Sequence, residues 1–157
     1  MQGLADVYQQ MEMPFESPEA AELNEKIFET IYYGAVCESI EIAKKDGAYD
    51  SFKGSPASKG LLQFDLWNYK PHKCGYDWEA VIKDLLTYGM RNSLLIAPMP
   101  TASTSQILGN NETFEPYTAN VYTRRVLAGE FVCINKNLVE YLIKQVIFFF
   151  NSELVDS

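Results

Sequence analysis

Leu23, Ile27, Ile31 and Ala35 recur at every fourth position, and Phe28, Tyr32 and Val36 widen that stripe. Helical periodicity sustained over so long a stretch commits this part of the chain to one amphipathic helix, around which the rest must pack. Its start carries Ser17-Pro18-Glu19: a hydroxyl for the first amides, a proline suited to the first helical position and an early carboxylate. Its end carries Lys44-Lys45 ahead of Gly47, which suits the negative carboxyl end of the helix dipole. The spacing predicts a helix over about 18–45.

Other elements are shorter. Leu4, Val7, Tyr8 and Met11 predict a small amphipathic helix within 3–11, ended by Pro14. From Gly47 to Gly75 the periodicity is lost among Gly54, Pro56, Gly60 and Pro71. Tyr49, Phe52, Phe64, Trp67 and Tyr69 are scattered between them, which predicts a long packed loop. Asp77 caps a third helix with Trp78, Val81, Ile82, Leu85 and Leu86 on one face, and Gly89 supplies a left-handed end.

Arg91 to Ala97 contains a run that is apolar at consecutive positions, as expected of a strand covered on both faces, and so implies an α/β layer. Pro98-Met99-Pro100 stops that strand, and Thr101 to Leu108 opens a short helix closed by Gly109. Tyr117–Leu127 and Phe131–Ile134 predict extended segments joined around Ala128-Gly129-Glu130 as a hairpin. Asn135 caps a last helix through Leu138, Leu142 and Val146.

Composition narrows the function. The 157 residues suffice for one domain or a piece of a larger one. With 47% apolar and 22% charged residues, disorder and linker-like repetition are excluded. A formal charge of −8 repels phosphate backbones, so no nucleic-acid partner is expected and any phosphate must be held locally. The most apolar stretch, Val146–Phe150, falls far below the roughly 20 residues of a membrane span. No basic stretch followed by an apolar run opens the chain at Met1. A cytoplasmic protein with no membrane partner is the expectation, and the sequon Asn111-Glu112-Thr113 is then idle.

Cys37, Cys74 and Cys133 stand too far apart for C-x-x-C chemistry and are odd in number, so buried inert thiols are expected. His72 is the only histidine, which rules out a His-rich metal site and a Ser-His-Asp triad. No catalytic and no metal-ligating residue is assigned.

The strongest local signal is Pro100-Thr101-Ala102-Ser103-Thr104-Ser105, at the start of a helix. Unpaired amides, the positive end of the dipole and small hydroxyl side chains can hold a phosphate oxygen without lysine. The alternative is that the hydroxyls only cap their own helix. Glu112 and Glu115 stand three apart, a spacing open to acid–base work, although turn-forming and solvated roles are simpler. Arg124-Arg125 is expected to pair with local carboxylates.

Longer runs carry a resemblance. Arg91-Asn92-Ser93-Leu94-Leu95-Ile96-Ala97-Pro98-Met99-Pro100-Thr101-Ala102-Ser103-Thr104 continues through Gln106-Ile107-Leu108-Gly109-Asn110-Asn111-Glu112, Glu115-Pro116-Tyr117-Thr118 and Tyr122-Thr123-Arg124-Arg125-Val126-Leu127. Together with Gln2-Gly3-Leu4-Ala5-Asp6, Ile27 to Ala35, Gly54-Ser55-Pro56 and Leu62 to Trp67, this resembles the large subunit of eukaryotic-type class I ribonucleoside-diphosphate reductase. The resemblance covers about 1–137, a central part of the barrel domain. Residues 138–157 form a divergent and helical C-terminal segment.

The resemblance implies an α/β fold: a partial, helix-rich section of a ten-stranded α/β barrel that reduces ribonucleoside diphosphates to 2′-deoxyribonucleoside diphosphates. It implies that Thr101, Ala102, Ser103 and Thr104 bind the substrate diphosphate. It also implies partners: the remaining parts of the large subunit and a small, radical-generating subunit. The cofactors it implies belong to the parent enzyme: a small-subunit metal/radical cofactor, ATP/dNTP effectors and a dithiol reductant. The family's radical-forming cysteine, thiol pair, effector sites, stacked tyrosines and mobile tail match nothing in this chain, so Cys37, Cys74 and Cys133 take none of those roles. An isolated chain without turnover is therefore expected, associating or only marginally stable because strand edges lie open. The alternative is a catalytically inactive, stand-alone phosphate-binding or interaction module.

Overall fold

A computed structural model describes the backbone of residues 1–155 and the side chains of residues 1–146. In chain order the elements are α1 (Leu4–Gln10), α2 (Pro18–Asp46), a 3₁₀ turn (Ala57–Lys59), α3 (Gln63–Leu66), α4 (Trp78–Tyr88), α5 (Ala102–Leu108), β1 (Val121–Val126), β2 (Gly129–Ile134) and α6 (Lys136–Val155). They form two compact units, one of Ala21–Ala97 and one of Met1–Ala20 with the chain from Pro98 onward.

Helix starts follow the capping chemistry. Ser17 Oγ accepts the Ala20 amide at 3.1 Å, Asp77 Oδ1 the Ala80 amide at 2.9 Å and Asn135 Oδ1 the Leu138 amide at 3.3 Å. Each such cap is worth about 1 kcal/mol. The loop predicted over 47–75 contains the 3₁₀ turn and α3, and it is packed only in part: Tyr49, Phe52 and Phe64 join the core, whereas Trp67 and Tyr69 are exposed.

The 21–97 unit is built on one face of α2. Val36 and Ile40 meet Leu62, Phe64, Trp78, Val81, Leu85 and Met90 in one apolar cluster, with Tyr32, Tyr33, Tyr49 and Phe52 packed against it. This face is rotated from the expected one: Leu23, Ile27 and Ala35 are only half-buried, and Ile31 is exposed. The buried row runs instead through Glu29, Val36, Ile40 and Ala43, because α4 and the aromatic loop lie on that side. α4 buries Trp78, Val81 and Leu85 as expected, whereas Leu86 is exposed.

Gly89 ends α4 at φ 76°, ψ −165°, which is positive φ but outside the left-handed helical well that a C-cap uses. A Cβ there would lie 2.7 Å from the Ala48 Cβ, so conformation and space both require glycine.

The expected strand at 91–97 does not form. The Arg91 amide donates to the Ser39 carbonyl and the Asn92 amide to Ser39 Oγ, each at 3.0 Å, so the start of this run is tied to α2. Leu94 is 89% exposed, while Leu95 packs against the core. A doubly covered strand requires strands on its flanks, and the sheet among the described residues contains only β1 and β2. The α/β layer is thus corrected to a helix-rich fold with one antiparallel hairpin, not a closed barrel.

That hairpin pairs Val121 with Ile134 through Val126 with Gly129, which leaves Leu127-Ala128 as a two-residue turn and starts β2 earlier than expected. In the second unit the Tyr8 phenol donates to the Ala20 carbonyl at 3.0 Å and meets Phe15 edge-on at 5.6 Å. Among the described residues no helix is long and apolar enough to cross a membrane.

Candidate functional site

Thr101 precedes α5 at φ 55°, ψ 27°, in the left-handed region rather than the extended one that an N-cap normally adopts. Its side chain does not cap the helix. Instead Thr101 Oγ1 accepts the Thr113 amide at 2.9 Å. The amides of Ala102, Ser103 and Thr104, the first three of α5, are thereby left without a side-chain cap. Ala102, Ser103 and Thr104 are exposed, Thr101 is half-buried and Ser105 is fully buried. Ser105 secures the turn from beneath: its amide donates to the Thr101 carbonyl at 2.9 Å and its Oγ to the Ala102 carbonyl at 3.4 Å.

Two side chains reach this turn from outside it. Thr104 Oγ1 donates to Gln2 Oε1 at 2.9 Å, with the Thr101 carbonyl a weaker acceptor at 3.4 Å. Arg124, on β1, places Nη2 3.5 Å from the Ala102 carbonyl and Nη1 3.7 Å from Glu112 Oε1. Arg125 pairs with Glu130 across the hairpin. Both arginines therefore meet local carboxylates. Glu112 faces Arg124, and Glu115 is exposed.

Asp6 anchors the segment that follows the turn. Its buried carboxylate accepts the Asn111 amide at 2.7 Å, the Tyr117 hydroxyl at 2.7 Å and Asn137 Nδ2 at 2.8 Å. Burial, reinforced by the bond to Asp6, holds the Tyr117 phenol well above the ordinary tyrosine range. The Gly3 amide donates to the Asn111 carbonyl at 3.1 Å and the Leu4 amide to the Thr113 carbonyl at 3.4 Å, so the start of α1 is stitched along 111–113. Asn111 Nδ2 donates to the Glu115 carbonyl at 2.6 Å, which occupies the nitrogen of the sequon.

Sequence reasoning located the turn but missed Gln2, Asp6, Thr113 and Tyr117. Asp6 lies in the first turn of α1 and reads there as a carboxylate placed for the helix dipole. Nothing local reveals a partner 105 positions away.

Chemically the turn is rich in N–H and O–H donors, the composition that suits an anion. Among the described residues no group of three or more His, Cys, Asp or Glu side chains could hold a metal ion. The three cysteines are free and half-buried rather than fully buried. Cys74 Sγ lies 3.5 Å from the Lys26 carbonyl and 3.6 Å from Thr30 Oγ1. In the 21–97 unit the buried Glu29 accepts the Lys73 and Cys74 amides and the Trp78 indole at 3.1–3.3 Å, a set that fixes the chain leading into α4.

Comparison with known proteins gives these features a family. The family described as ribonucleotide reductase, barrel domain, matches residues 1–149, and the chain belongs to it. More particularly, it is similar to proteins named ribonucleoside-diphosphate reductase large subunit. The one from Dictyostelium discoideum is 62% identical over 92% of this chain and 17% of its own length. That of Trypanosoma brucei brucei is 56% identical over 92% of this chain and 19% of its own. The large chain 2 of Saccharomyces cerevisiae is 58% identical over 91% and 16%. The chain thus spans less than a fifth of each of these relatives.

Proposed function

We propose that the chain is a section of a ribonucleoside-diphosphate reductase large subunit and that Thr101, Ala102, Ser103 and Thr104 hold the diphosphate of the nucleotide to be reduced. The observation that carries this reading is the diversion of the Thr101 hydroxyl to the Thr113 amide, which leaves the opening amides of α5 uncapped. Exposed amides at a helix start attract a polyanion, and the small side chains at 102–104 let it approach the backbone. The acidic balance of the chain is no obstacle, because binding there depends on local donors.

In the same reading the whole enzyme works in the cytoplasm with the remaining parts of the large subunit and a small subunit. The small subunit's metal/radical cofactor, ATP/dNTP effectors and a dithiol reductant come from outside this chain. Positioning a diphosphate supplies neither a radical nor electrons, so the 157-residue chain alone forms no deoxynucleotide.

The test is calorimetry of the chain with ADP, comparing wild type with Ser103→Pro, which deletes one amide donor at a position where proline is tolerated in a first turn. The expected outcome is at least tenfold weaker binding by the variant, about 1.4 kcal/mol, with circular dichroism unchanged. Equal affinities, or a wild type that takes up no ADP, would overturn the reading.

A further inference from the structure

Thr104 has a single hydroxyl proton, and that proton is committed to Gln2 Oε1 at 2.9 Å. The opposite end of the same carboxamide, Gln2 Nε2, is buried and has no hydrogen-bond partner. Buried polar atoms are normally paired, so this end of the carboxamide is an exception. A half-turn of the carboxamide exchanges its two ends and sets Nε2 where Oε1 now lies, within reach of Thr104 Oγ1.

Phosphate oxygens accept hydrogen bonds. For Thr104 to donate to one, its proton must leave Gln2, and a lone pair of Oγ1 then faces the carboxamide. With Oε1 still in place, two acceptors would meet with no proton between them. With Nε2 in place, the hydroxyl accepts from Gln2 and donates to phosphate at the same time. Resting on the reading that this turn holds a diphosphate, we infer that Gln2 is a positioning residue for the nucleotide. Its carboxamide reverses on binding and so turns the Thr104 proton toward the phosphate.

The experiment is calorimetry of the 157-residue chain with ADP and, separately, inorganic pyrophosphate. It compares wild type, Gln2→Met, Gln2→Glu, Thr104→Val and the double variant Gln2→Met with Thr104→Val. Methionine keeps the volume without donor or acceptor. Glutamate offers only acceptors, so it retains the Thr104 proton and adds a negative charge. Gln2→Met is expected to weaken both probes by about three- to tenfold and Gln2→Glu by more than tenfold, with unchanged melting of the ligand-free chain. In the Thr104→Val background, Gln2→Met should have no further effect. A packing role would not produce that dependence on the hydroxyl. Wild-type affinity in Gln2→Glu and Gln2→Met, or an equal loss with and without the Thr104 hydroxyl, would overturn the role of Gln2 while leaving the site intact. A wild-type chain that binds neither probe would overturn the site itself and the role of Gln2 with it.

Discussion

The hydroxyl of Thr101 accepts the backbone amide of Thr113 at 2.9 Å, and both threonines sit at positive φ, 55° and 40°. β-Branched residues avoid that region, so the two positions carry strain of about 1–3 kcal/mol each, held by the contact between them. Thr101→Val keeps the shape and removes the acceptor, which strands the amide of the buried Thr113. Stability should fall by about 1–3 kcal/mol, seen as a lower urea midpoint with an unchanged slope. Thr101→Ser retains the acceptor and should stay within about 1 kcal/mol of wild type. A valine variant as stable as wild type would show that the bond does not hold the turn.

Asp6 accepts from a backbone amide, a phenol and a carboxamide, all at 2.7–2.8 Å. In Asp6→Asn one oxygen becomes an NH₂ that faces one of these donors, so a charge-assisted bond is replaced by a repulsion. The expected loss is about 2–3 kcal/mol, against about 1 kcal/mol for Tyr117→Phe, which removes a single bond. Urea unfolding of the two variants at neutral pH checks the ranking, and the reverse order would contradict the hub.

Tyr117 also sets an alkaline limit. Its phenol is raised in the folded chain, first by burial and then by Asp6, whereas in the unfolded chain it ionises near pH 10. Its contribution is therefore fully present below about pH 10 and is lost as pH rises above that value, where the unfolded state gives up the proton first. Wild type should lose stability between about pH 10 and 11 more steeply than Tyr117→Phe. Parallel urea titrations that fall together across that window would exclude the effect.

Gly89 combines a glycine-only backbone conformation with a lack of room for any side chain, since a Cβ built there would lie 2.7 Å from the Ala48 Cβ. Gly89→Ala should cost at least about 1–3 kcal/mol from backbone strain, with more from the contact at Ala48. Gly34→Ala, a helical position with open space around it, should be neutral or slightly stabilising. Thermal melts that place the two variants together would refute the distinction.

What was legible in the sequence depended on the range of the interaction concerned. Ser17, Asp77 and Asn135 announce helix starts because a cap is settled within three residues, and their bonds form as expected. The turn at Thr101–Thr104 was visible as a helix start from its small hydroxyl residues, although Thr101 turns its hydroxyl to the Thr113 amide and does not cap α5. The buried face of α2 was legible only in part: Val36 and Tyr32 of the expected stripe join the core, whereas Leu23, Ile27, Ile31 and Ala35 are not buried, because Leu62, Phe64 and Trp78, which set the covered side, are distant in the chain and leave no mark on local spacing. Gln2 and Asp6 stayed invisible for a related reason: their partners lie 102 and 105 positions away.

The misread strand yields a test of its own. An apolar run such as 94–97 resembles a doubly covered strand, yet Leu94 is 89% exposed while Leu95 is partly buried against the apolar core of the 21–97 unit. A side chain in water loses little when made polar, whereas a carboxylate placed against an apolar cluster is desolvated without a partner. Leu94→Asp should therefore change stability by no more than about 0.5 kcal/mol, and Leu95→Asp should cost about 2 kcal/mol or more. Urea unfolding of the 157-residue chain separates the outcomes. If both substitutions were equally damaging, Leu94 would be covered in solution and the run would behave as the strand its pattern suggests. If only Leu95 matters, the run stands as an extended segment held on one side, and strand character there requires neighbouring strands beyond this two-stranded sheet.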